Sequence, residues 1–138
     1  MTKKFWVLIE KSKKYYIGTV AGLPDCRNRA KTHKELLRNI KKTIKRCLKV
    51  ESGTPYGEFV GVRVLNPQNS RKTITVLMEK GETGDYVGYV PSLSGCFTQA
   101  GTLEKLAKNI EEVIEICFGL KKTFEKAKFV GMQIVEVK

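Results

Sequence analysis

The sequence predicts an α+β fold: two tandem βββαβ units forming one pseudo-symmetric two-layer body. Three observations carry this. The 138-residue chain repeats itself at a shift of 70. Each copy holds apolar, β-branched runs punctuated by turn residues, the pattern of short strands. Each copy also holds one stretch with apolar residues at three-and-four spacing, the pattern of an amphipathic helix.

The repeat is read first, because self-similarity at a fixed period decides the architecture before any element is assigned. Tyr16, Gly18, Val20, Leu23, Cys26 and Ala30 recur as Tyr86, Gly88, Val90, Leu93, Cys96 and Ala100. Thr32, Leu36, Asn39, Ile40, Ile44 and Cys47 recur as Thr102, Leu106, Asn109, Ile110, Ile114 and Cys117, and Phe59-Val60-Gly61 as Phe129-Val130-Gly131. The gaps between them are preserved, which implies one structural unit used twice. The turn-rich run Asn66-Pro67-Gln68-Asn69-Ser70 joins the copies. It divides the chain into a first repeat at 1–66, a linker at 67–71 and a second repeat at 72–138. A unit of about 70 residues buries only roughly 60% of its extended-chain surface. The copies are therefore expected to share a core or pair their sheets.

Within each copy the elements follow in one order. FWVLIEK (5–11) and TITVLMEK (73–80) read as first strands, each followed by a turn and then YYIGTVA or DYVGYVP, which completes a hairpin. A short third strand fits 26–31 and 96–100. Leu36, Leu37, Ile40, Ile44, Cys47 and Leu48 form the apolar stripe of the first helix, and Leu103, Leu106, Ala107, Ile110, Val113, Ile114 and Cys117 that of the second. Thr32 and Thr102 stand where N-caps belong, with Glu35 completing a capping box in the first copy. The closing strands, FVGVRVL and FVGMQIVEV, alternate, with Val60, Val62 and Val64, and Val130, Met132 and Ile134, on one side. Gly18, Gly61, Gly88 and Gly131 fall inside strands, which suggests close backbone approach or a bulge.

Composition excludes several classes. With 41% hydrophobic residues and four Pro the chain is neither disordered nor collagen-like, and no apolar stretch approaches the roughly 20 residues of a membrane helix. The N-terminal apolar run, Phe5 to Ile9, is shorter than the roughly 7 to 15 residues of a signal-peptide core, so a cytoplasmic protein without membrane association is expected. Four Cys without a C-x-x-C motif then read as reduced core thiols, not disulfides or a zinc site.

At YVGYVPSLSGCFTQAGTLEKLAKNIEEVIE, residues 86–115, the second copy resembles the HicB antitoxin family. Tyr86, Tyr89, Val90, Pro91, Leu93, Gly95, Cys96, Thr98, Gly101, Thr102 and Asn109 stand at the places of that family's strand, loop, Thr-rich turn and helix. The first copy keeps the frame, with Ala21 at the place of Pro91, Pro24-Asp25 at that of Ser94-Gly95, and Lys31 at that of Gly101. The resemblance implies a domain similar to a reduced ribonuclease H-like fold. It also implies the inhibitory, non-enzymatic half of a toxin-antitoxin pair, whose usual partner, HicA, is a small RNA-cleaving protein. Family antitoxins commonly carry a C-terminal DNA-binding segment; this sequence ends in a strand, so operator binding by that route is not expected.

Charge is distributed unevenly. The formal net charge is +12, and residues 1–70 hold 16 basic and 5 acidic side chains against 10 and 9 in residues 71–138. Successive residues 100° apart place Lys34, Arg38, Lys41, Lys42, Lys45 and Lys49 opposite the apolar stripe of the first helix. The corresponding positions of the second helix hold Glu104, Lys108, Glu111, Glu112, Glu115 and Gly119. Three readings stand side by side. Both faces are solvated surface; or the basic face binds nucleic-acid phosphates, tolerant of sequence because no aromatics interleave it; or the faces dock on charged partners, including another copy of the chain. A basic toxin would be steered to the second copy, with Pro91, Ser92, Gly95, Glu104, Glu111, Glu112 and Glu115 as its contacts.

No constellation for catalysis emerges. His33, the only His, reads as a helix-start residue. A metal-dependent nuclease needs several carboxylates converging on Mg²⁺. The strands offer Glu10, Glu79 and Asp85, of which the first two read as exposed at strand ends. No cofactor, metal site or catalytic residue is expected, and a homo-oligomer remains open.

Overall fold

A computed structural model describes residues 3–50, 57–67, 73–93, 96–120 and 127–137. The elements are β1 (Lys3–Lys11), β2 (Tyr16–Val20), β3 (Leu23–Ala30), α1 (His33–Val50), β4 (Gly57–Leu65), β5 (Ile74–Gly81), β6 (Tyr86–Tyr89), β7 (Phe97–Ala100), α2 (Leu103–Leu120) and β8 (Lys128–Val137). Each repeat lays down βββαβ in order, as its sequence predicts.

The strands assemble into two four-stranded sheets, ordered β3-β2-β1-β8 and β4-β5-β6-β7. The closing strand of each repeat thus sits in the sheet begun by the other. β4 runs antiparallel to β5 from Gly57 opposite Gly81 to Leu65 opposite Ile74, with a register shift between Phe59 and Gly61. β8, at the far end of the chain, lies beside β1. One compact unit therefore gathers β1, β2, β3, α1 and β8, and the other runs unbroken from β4 to α2. These units cut across the repeat halves 1–66 and 72–138. The reason is local: β4 and β5 are consecutive strands on a short connection, which favours an antiparallel hairpin. β1 is left to take β8. Within the linker expected at 67–71, Pro67 is buried and the other residues lie outside the described ones.

In the first unit, Phe5, Val7 and Ile9 of β1 pack under Leu36, Ile40 and Ile44 of α1, with Val20, Leu23, Cys26, Val135 and Val137 completing the core. In the second, Ile74 and Val76 of β5 lie with Leu106, Ile110 and Ile114 of α2, together with Val90, Leu93 and Cys96. Both helices begin on the expected caps. The Glu35 amide donates to Thr32 Oγ1 at 3.1 Å and the Lys105 amide to Thr102 Oγ1 at 3.2 Å, satisfying one of the orphan donors of each first turn.

Helix and sheet approach closely at the repeated glycines of the second strands. A Cβ on Gly88 would lie 2.6 Å from Ile110 Cδ1, and one on Gly18 3.1 Å from Ile40 Cδ1. The in-strand glycines thus answer to different causes: Gly18 and Gly88 make room for a helix, Gly61 marks the register shift, and a Cβ on Gly131 would meet nothing within 4 Å.

The closing strands do alternate, but the side carrying Val60, Val62 and Val64 is not the helix side. Arg63 reaches α2, so its neighbours Val62 and Val64 look the other way. Val64, Val130 and Ile134 are 44%, 50% and 46% exposed, whereas Leu65, Val135 and Val137 pack against the cores.

Candidate functional site

The two helices present the same surface with different chemistry. Along residues 31–47 and 101–117 the burial pattern is identical position by position: Leu36, Ile40 and Ile44 are buried, as are Leu106, Ile110 and Ile114. The exposed positions correspond in the same way. Lys34, Arg38, Lys41, Lys42, Lys45 and Arg46 are exposed on α1; Glu104, Lys108, Glu111, Glu112, Glu115 and Ile116 are exposed on α2. The fold asks the same of both helices, so their opposite charge is no requirement of packing. Lys49 lies in α1, but its side chain falls outside the described residues.

The predicted partner-binding residues are only partly gathered. Pro91 and Ser92 form a half-buried turn after β6, and Gly95 lies outside the described residues. The turn is closed by backbone bonds from the Leu93 amide to the Val90 carbonyl at 3.1 Å and from the Val90 amide to the Cys96 carbonyl at 3.0 Å. Leu93 and Cys96, both buried, pin it to the core. Val90 and Cys96 line one crevice with Val113 and Ile114, which places this loop beside the C-terminal half of α2, the half that also carries Glu112, Glu115 and Ile116. Glu104 stands at the other end, eleven residues from Glu115, roughly 16 Å along the axis at 1.5 Å per residue.

Glu111 has a partner of its own. Arg63 Nη2 lies 3.4 Å from its Oε1. Arg63 belongs to the first repeat and Glu111 to the second, so this ion pair crosses repeats within one compact unit. At the repeat-equivalent positions of the first unit stand Gln133 and Lys41. The strand arrangement therefore keeps Arg63 with the acidic helix.

The carboxylates correct one expectation. Glu10 and Glu79 are buried, 2% and 5% exposed, not exposed strand ends. Glu10 pairs with Ile17 and Glu79 with Val87, which makes them equivalent in the repeat. The 70-residue shift concealed this. Lys11 faces Tyr16 but Lys80 faces Tyr86, so the second hairpin turn is one residue longer and bends through Gly84 at φ +91°. With that gap, Val7, Leu8, Glu10 and Lys11 recur as Val76, Leu77, Glu79 and Lys80. The Tyr89 hydroxyl donates to Glu79 Oε1 at 2.9 Å. Asp85 instead accepts from Gln99 Nε2 at 3.0 Å in an exposed pair.

His33 is exposed, its ring set edge-on to Tyr16 with centroids 6.0 Å apart. The four cysteines are free thiols, Cys26 and Cys96 buried, Cys47 and Cys117 half-buried. Among the described residues no group of three or more His, Cys, Asp or Glu could hold a metal ion, and no helix is long and apolar enough to cross a membrane.

Fold and helix faces together define a tandem α+β protein with two like-shaped, oppositely charged helices. The chain is 48% identical over 63 residues to a UPF0150 protein of Archaeoglobus fulgidus, a match spanning 46% of this chain and 91% of that one. It is 38% identical over 68 residues to a UPF0150 protein of Synechocystis, covering 49% of this chain and 99% of the relative. A UPF0150 protein of Thermotoga maritima is 32% identical over 74 residues, 51% of this chain and 96% of its own. The chain belongs to the UPF0150 family. These relatives are each about as long as one repeat. No family model matches the chain, and no solved structure matches it significantly.

Proposed function

We propose that this protein is a HicB-like, non-enzymatic cytoplasmic module that docks and restrains a small basic protein, of the kind represented by the RNA-cleaving HicA toxins. The docking face is the C-terminal half of α2, with Glu112 and Glu115, and the adjoining turn at Pro91 and Ser92. The observation that carries the reading is the matched burial of the two helices: α2 is acidic on a face where α1, under the same packing, is basic. A basic partner is attracted to α2 and repelled by α1, which sets encounter rate and orientation. The sequence likeness at residues 86–115 supports the same choice, since it spans this loop and this helix.

The test is binding to a short basic polypeptide encoded by the adjacent reading frame, by calorimetry at moderate salt. A tight complex that suppresses the polypeptide's RNA cleavage is expected, weakened about tenfold or more by Glu112→Lys/Glu115→Lys and little changed by Lys41→Glu/Lys42→Glu. No binding, or equal sensitivity to both pairs, refutes the proposal.

A further inference from the structure

We infer that the basic face of α1 is a docking site for the acidic face of α2 in a second copy of this chain. The inference needs no other partner and stands apart from the function proposed above. Its basis is that the two faces coincide in shape and oppose in sign. Lys34, Lys41, Lys42 and Lys45 correspond to Glu104, Glu111, Glu112 and Glu115, and Glu35 to Lys105, with every one of these residues exposed. Five pairs thus reverse together, the fifth in the opposite sense to the other four. Arg38 and Lys108, exposed at equivalent positions, are both basic; uniform basicity would serve a polyanion, whereas a pattern that inverts at five of six charged positions on a matched surface serves a protein face.

A second observation concerns apolar area. The acidic face ends in two exposed hydrophobic residues, Leu103 at 42% and Ile116 at 61%. Arg46 stands at the position of Ile116 on α1. Long Lys and Arg side chains lay their methylene stems along apolar surface while their charged heads stay in water. The α1 face can therefore cover Leu103 and Ile116 and meet the carboxylates at once. Glu111 is already shared with Arg63, so Glu104 and Glu112 are the anions the face offers most directly.

Because the docking faces differ, the contact is heterologous and either closes into a ring or extends as a chain of copies. Ion pairs at an exposed surface are individually weak and screened by salt. Association is consequently modest in strength and salt-sensitive. The net charge of +12 opposes it at very low salt. About 0.1 M is the favourable range, where the Debye length of about 10 Å screens distant repulsion and spares touching pairs.

The test is analytical ultracentrifugation of the nuclease-treated chain at concentrations up to several hundred micromolar. At 0.1 M salt the weight-average mass is expected to rise above the single-chain 15.6 kDa, and to return to it at 1 M. Lys41→Glu/Lys42→Glu/Lys45→Glu and Glu104→Lys/Glu112→Lys/Glu115→Lys should each weaken self-association about tenfold or more. Both variants leave Glu111 and Arg63 intact. Mixed together they should co-assemble, since one keeps the acidic face and the other the basic one; that co-assembly also shows that both are folded. A single-chain mass in every condition overturns the inference. So does an assembly untouched by either variant, or one that survives only when nucleic acid is left in.

Discussion

Arg63, in the strand that closes the first repeat, lies 3.4 Å from Glu111 in the helix of the second. The pair records the main structural fact about this chain: each repeat hands its last strand to the sheet begun by the other. Glu111 is exposed (59%) and Arg63 half-buried (31%), so solvent still screens the pair and its contribution to stability is modest, between about 0.2 and 1 kcal/mol. A double-mutant cycle of Arg63→Ala and Glu111→Ala, read by urea unfolding, should return a coupling in that range. A coupling near zero would show that the arrangement owes nothing to this pair.

Exchange of closing strands predicts how the chain behaves when cut. A protease site inserted between Pro67 and Thr73, followed by cleavage, should leave two fragments that elute as one particle. β4 remains hydrogen-bonded to β5, and β8 remains beside β1. Denaturant should be needed to part them. Fragments that separate on native gel filtration would contradict the strand order.

Gly88 and Gly18 should rank by their clearance from the helices. Gly88→Ala places a methyl 2.6 Å from Ile110 in a filled core and should cost about 1 to 3 kcal/mol, the range for overpacking. Gly18→Ala, at 3.1 Å from Ile40, should cost less, and Gly131→Ala, with open space, close to nothing. Chemical denaturation of the three variants checks the order.

Tyr89 holds the buried carboxyl of Glu79 through its hydroxyl. Tyr89→Phe keeps the ring and removes the donor, so it should cost about 1 to 3 kcal/mol, the range for stripping a buried polar group of a partner. A loss below about 0.5 kcal/mol would show that Glu79 is satisfied without it.

Much of the fold was legible because it rests on local rules. The period of Leu36, Ile40 and Ile44, repeated at Leu106, Ile110 and Ile114, is enough to set both helices and the faces they bury. Thr32 and Thr102 announce where those helices start. The charged faces were legible as well, since whatever lies opposite an apolar stripe is exposed. The first strands were harder. Phe5-Trp6-Val7-Leu8-Ile9 is apolar without alternation, so period alone does not separate its two sides. Glu10 and Glu79 read as exposed strand ends for that reason, and because a hairpin turn one residue longer in the second copy hides their equivalence.

What the amino-acid order determined by itself is the duplicated βββαβ succession, the caps, the buried stripes and the inversion of charge between α1 and α2, all properties read within about 20 residues. The tertiary structure alone decided which strand closes which sheet and which carboxylates lie inside. Strand edges pair through backbone groups that every residue carries, and β1 and β5 present nearly the same sequence to either closing strand. The choice therefore falls to the chain connection that sets β4 beside β5, while the contact of Arg63 with Glu111 exists only once the repeats have come together.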